Sequence, residues 1–147
     1  MKLIGYAFEG FTPTAAEWNV ITDAMAFWED ETSNVVQFGG GKGPTLKFRR
    51  GPSEGDHWVT AVLGEGVILH PSWFEPKILN RIGWRARQFN AAAHAIGHYL
   101  MDDTWHSPST FSVMGKDPGF WPWRLGVDGH VGNEIIQMQV YEKGTTT

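Results

Sequence analysis

The sequence predicts an α/β fold, in a single domain covering residues 1–147. Three observations lead there. Short segments rich in β-branched and aromatic residues recur between turns rich in Gly, Pro and Ser. Long stretches repeat apolar residues at three- to four-residue spacing, the period of an amphipathic helix. A hydrophobic share of 41% with 14% aromatic residues suits a chain that buries a core.

In chain order, Lys2 to Phe8 reads as a first strand. Thr12-Pro13 then opens a helix with Pro at the first helical position, and Thr14 to Glu17 has the form of a capping box. Trp18, Ile21, Met25 and Trp28 make a core-facing stripe on this helix, which should end near Thr32. Strands are expected at Val35–Phe38, Thr45–Arg49, Trp58–Leu63 and Val67–His70. Gly39 to Thr45 is read as a hairpin loop, since its spacing fails the phosphate-loop motif. A second long helix should run from about Ile78 to Met101, burying Phe89, Ala93, Ile96 and Leu100. Gly83 is a weak point inside it, at ~1 kcal/mol relative to Ala. Met101 to Trp123 reads as irregular. A last helix spans about Val131 to Glu142, with Val131, Ile135 and Met138 at apolar spacing.

Composition narrows the function. A net charge of −4 with no dense Lys/Arg patch argues against nucleic acid as partner; Arg49-Arg50 and Arg81, Arg85, Arg87 read as solvated faces. The absence of cysteine excludes disulfides and thiolate metal sites. No stretch approaches the ~20 apolar residues that cross a bilayer, and the opening residues carry no signal-peptide pattern. A soluble chain without a membrane partner is expected. The compartment is left open.

Chemistry concentrates at His94-Ala95-Ile96-Gly97-His98, followed by His106 and Ser112-Val113-Met114. Histidines four apart on a helix share a face one turn apart, so their imidazoles can reach one metal ion. A third histidine past the helix end closes a three-nitrogen site with an open position, the coordination of catalytic zinc. His106 is the favoured third ligand; Asp102 and Asp103 are the alternatives, or one of them is an acceptor orienting His98. Met114 supplies an apolar floor. Asp56, His57 and His70 as a second metal site, and the eight tryptophans as a carbohydrate platform, are the weaker readings of those residues.

This constellation resembles the metzincin zinc peptidases, the matrixin branch most closely. The local match covers Ala92-Ala93-His94, Ile96-Gly97-His98, His106-Ser107 and the step from His106 to Met114. The order of elements extends it over nearly the whole chain, with Glu134 to Tyr141 similar to the closing helix. The resemblance implies a twisted mixed sheet, two long helices, a Met-turn at Met114 and a C-terminal helix. It implies zinc on His94, His98 and His106, and a peptide or protein as substrate. Gly64 to His70 resembles the edge strand to which substrate adds, with Val67, Ile68 and Leu69 as its binding residues. Trp121 and Trp123 fall where matrixins build a specificity-pocket wall.

The chain departs from the family in three places. Ala95 stands where the family has its general-base glutamate, the carboxylate that takes the proton of the attacking water. The interval from His98 to His106 is two residues longer than in the family. The glycine that turns the chain sharply there is missing between Tyr99 and Trp105. Two functional readings follow. One is a zinc endopeptidase scaffold, inactive as it stands for want of its base. The other is a pseudo-peptidase acting as a binding or structural component of a larger assembly, such as a phage particle. A globular domain without metal is the third.

Overall fold

The computed structural model describes residues 2–39, 44–52, 58–75 and 81–146, with side chains up to 139. The chain is a mixed α/β structure: a five-stranded sheet and, among the described residues, four α-helices. Strand β1 (Lys2–Glu9) comes first. Helix α1 (Ala15–Glu31) starts at a reciprocal capping box, in which Thr14 Oγ1 accepts from the Glu17 amide at 3.2 Å and Glu17 Oε1 accepts from the Thr14 amide at 2.9 Å. Those two bonds fix Thr14 as the cap. Pro13 is therefore one residue outside the helix rather than its first residue. Val20, Ile21, Ala24, Met25 and Trp28 are buried along α1. Trp18 stays partly exposed, its ring against Tyr6 and Phe8.

Strands β2 (Val36–Phe38), β3 (Thr45–Arg50), β4 (Val59–Val62) and β5 (Gly66–Leu69) fall within a residue or two of their expected positions. Their order in the sheet is β2-β1-β3-β5-β4. Every pairing is parallel apart from β4 against β5. This order corrects the expected role of Val67, Ile68 and Leu69. β5 is paired on both sides, by β3 and β4, so its main chain has no free edge for an added strand. Val67 and Leu69 also point into the core. The antiparallel edge is β4.

A short helix α2 (Pro71–Phe74), which the sequence reading did not anticipate, follows β5 with Pro71 in its first turn. The Trp73 indole donates to the Gln88 carbonyl at 3.0 Å, and the Gln88 amide returns a bond to the Trp73 carbonyl at 2.7 Å. This buried pair ties α2 to helix α3 (Trp84–Met101). The latter starts later than expected. Gly83 is not a weak point inside the helix but its cap, at φ +67, and a Cβ there would lie 2.1 Å from the Pro122 carbonyl oxygen. Only glycine satisfies both constraints. The first residues assigned to that helix, 78–80, lie outside the described residues, as do 40–43 of the expected hairpin loop.

The face of α3 carrying Phe89, Ala92, Ala93 and Ile96 is buried, and the Trp28 indole of α1 donates to the Ala93 carbonyl at 2.8 Å. Helix α4 (Gly129–Thr146) closes the chain, burying Val131 and Ile135 with Met138 half-buried. No helix among the described residues is long and apolar enough to cross a membrane.

Candidate metal centre

Four residues on one line of α3, Arg87, Ala91, His94 and His98, face a cavity of about 1010 Å³. Trp58, Val59, Thr60 and Ala61 at β4 also line it, as does the segment from Lys116 to Trp121. His106 lies at the same cavity, exposed, while His94 and His98 are 8% and 6% exposed. One nitrogen from each of the three rings lies within 4.8 Å of the others, so the triad could hold a metal ion. The His94 and His106 rings stack at 5.3 Å, and the His98 ring stands nearly perpendicular to both.

Hydrogen bonding settles which nitrogens face inward. His94 Nδ1 lies 2.9 Å from the Val113 carbonyl oxygen, and His98 Nδ1 lies 2.7 Å from that of Asp103. A carbonyl only accepts, so both Nδ1 atoms carry the proton. Both Nε2 atoms then present lone pairs, and they face each other at 3.1 Å. Two acceptors at that distance repel unless a cation lies between them. The separation is close to the ~3.3 Å between two nitrogens on one tetrahedral zinc with ordinary Zn–N bonds. Burial pushes the His94 pKa down from 6.5 to about 3, with help from the neighbouring His98 and His106 rings and against the Val113 bond. Burial likewise lowers His98, outweighing its bond to Asp103. Both rings are neutral at pH 7, the protonation state that ligates metal.

The longer interval to His106 is taken up without glycine. Asp102 ends α3 in the left-handed region at φ 51, a conformation that Asp tolerates better than most residues. Its amide bonds to the His98 carbonyl. Asp103 then accepts the His98 proton on its main-chain oxygen, and its Oδ1 accepts from the Trp105 amide at 3.2 Å. Asp103 is thus an acceptor orienting His98, through its backbone. Neither aspartate belongs to the metal-compatible group, which consists of the three histidines.

Met114 is fully buried, with its sulfur close to Gly97 of α3. A Cβ on Gly97 would lie 2.5 Å from the Met114 sulfur and 2.7 Å from Trp28 Cζ2, so the glycine of the histidine motif lets the turn approach the helix. Gly97→Ala should therefore destabilise the fold by about 1–3 kcal/mol, the usual range for overpacking a core. Denaturant titration measures it.

The turn is clamped by Asp128, which the sequence reading missed. Its carboxylate accepts from Ser107 Oγ at 2.7 Å and from Ser112 Oγ, while the Ser107 amide donates to the Met114 carbonyl at 2.8 Å. Burial pushes the Asp128 carboxyl up, but the Ser112 and Ser107 hydroxyls outweigh it and hold it below the usual range. Two serines that follow a histidine carry no signal of a shared carboxylate, because their partner is distant in sequence.

The remaining residues are distributed as follows. Trp121 lines the cavity; Trp123 does not, and is 52% exposed. Val67, Ile68 and Leu69 are not among the lining residues. Ala95 is fully buried and is not among the lining residues. His70 is a satisfied core histidine, its ring nitrogens 2.7 Å from Thr60 Oγ1 and 2.8 Å from the Pro52 carbonyl. Asp56 and His57 lie outside the described residues. No protein-family model matches the chain, and no curated protein matches it in sequence.

Proposed function

We propose that this chain is a zinc endopeptidase scaffold of the metzincin, matrixin-like kind that binds extended peptide and, with Ala95 at the base position, does not cut it. The observation that carries this reading is the pair of facing Nε2 lone pairs at 3.1 Å, with a third imidazole beside them at the cavity. Three imidazole nitrogen donors without thiolate or carboxylate suit zinc among the common divalent ions. Bound there, zinc would supply a Lewis acid for a peptide carbonyl and for water.

The chain's own residues supply the rest. Val113 and Asp103 hold the imidazoles in the ligating tautomer through their carbonyls. Strand β4, at the edge of the sheet and along the cavity, offers main-chain groups to an extended chain. Apolar walls at Trp58, Val59, Ala61 and Trp121 exclude water from a side chain inserted between them. What is missing is the proton acceptor, because a methyl group at position 95 cannot take a proton from attacking water. The test is peptide hydrolysis after Ala95→Glu in the zinc-loaded protein.

A further inference from the structure

The far wall of the cavity is held by a side chain that does not itself line it. Asn90 is fully buried on α3, one turn before His94, and is absent from the cavity lining. Its Nδ2 donates to the carbonyls of Pro118 at 3.2 Å, Trp121 at 3.4 Å and Trp123 at 2.8 Å, two hydrogens shared among three acceptors. Its Oδ1 accepts from the Leu125 amide at 2.9 Å. Arg87, one turn earlier, donates to the carbonyls of Gly119 and Phe120. The main-chain oxygens of Pro118, Gly119, Phe120 and Trp121, the four consecutive residues of the wall, are thus all held by two side chains of α3. The same helix carries His94 and His98. It therefore spaces the wall from the metal centre.

Resting on the peptide-binding reading above, we propose that Asn90 is a positioning residue for specificity: it sets which apolar side chains the cavity admits. It makes no contact with the cavity, so a substitution there cannot alter the contact chemistry of a bound side chain directly. Any change in size preference has to pass through the position of the wall. The bonds Asn90 makes are to main chain, so they do not depend on the identity of the side chains at residues 118–123. A single methylene in an apolar pocket is worth about 10- to 200-fold in discrimination. A wall displaced by a fraction of a side chain should move a size preference by about fivefold or more.

The experiment uses zinc-loaded full-length protein and blocked hexapeptides of alanine whose one central position is Ala, Leu, Phe or Trp, with affinities read by calorimetry. In Asn90→Asp, which keeps the acceptor and loses the donors, and in Asn90→Ser, the ratios among the four peptides should shift by about fivefold or more. Zinc content should stay as in the unsubstituted chain. Equal weakening of all four peptides, with their ratios preserved, would overturn the proposal and leave Asn90 a purely structural residue. Hydrogen exchange supplies a measurement that needs no variant: the Leu125 amide should be as protected as those of α3, and fast exchange there would equally overturn it. Failure of the unsubstituted protein to bind any of the four peptides would instead overturn the peptide-binding reading.

Discussion

Ala95→Glu should raise zinc-dependent hydrolysis of unfolded protein by about 10²- to 10⁴-fold, the contribution typical of a positioned base. Position 95 directly follows His94 on α3, and Ala95 is fully buried. A carboxylate placed there is desolvated, which raises its pKa toward the range where it can both take and return a proton. Among the described residues that line the cavity, Asp117 is the sole carboxylate. The gain should disappear on chelation and in the double variant that also carries His94→Ala. A reverted, zinc-loaded protein that stays inert across a broad peptide library would favour the pseudo-peptidase alternative.

Metal removal should cost the fold more than any single surface change. A ligand that binds only the native state stabilises it by mass action, about 2.7 kcal/mol at a hundredfold excess over its dissociation constant. At roughly 2–4 °C per kcal/mol for a chain near this length, chelation should lower the melting temperature by about 5–10 °C. The loss should be local at first, because a metal on the three histidines would join α3 to the segment carrying His106, and proteolysis should enter near residues 103–111. Acid should act in the same direction. In the metal-free protein the folded state keeps His94 neutral down to about pH 3, whereas the unfolded chain protonates it below 6.5. The unfolded state therefore binds more protons in that interval, and stability falls as the pH drops from 6.5 toward 3. Thermal melts with and without chelator, across that pH range, check both effects.

Local periodicity was enough to place all five strands, α1, most of α3 and the start of α4. Those elements are specified by residues within a turn or a strand pair of each other: the Thr14–Glu17 box, the Ile21–Met25–Trp28 stripe, the histidines four apart. What eluded it depends on contacts distant in the chain. Gly83 is read from sequence as a helix interruption, yet its role is set by the Pro122 carbonyl packed against it. The internal position of β5 follows from parallel pairing with β3, which no local pattern encodes. Asp102 ends α3 in the left-handed region, which an aspartate enters more readily than most residues, and no apolar periodicity marks that position. Asn90 and Asp128 were legible only as polar residues near the motif, since their partners lie up to 35 and 21 residues away.

The central claim is that His94, His98 and His106 hold one zinc ion, and elemental analysis of protein purified without added metal tests it most directly. One zinc per chain is expected, lost in His94→Ala and in His98→Ala and severely weakened in His106→Ala. Protein that retains no zinc even after dialysis against a slight excess would contradict it, as would zinc content unchanged by all three substitutions.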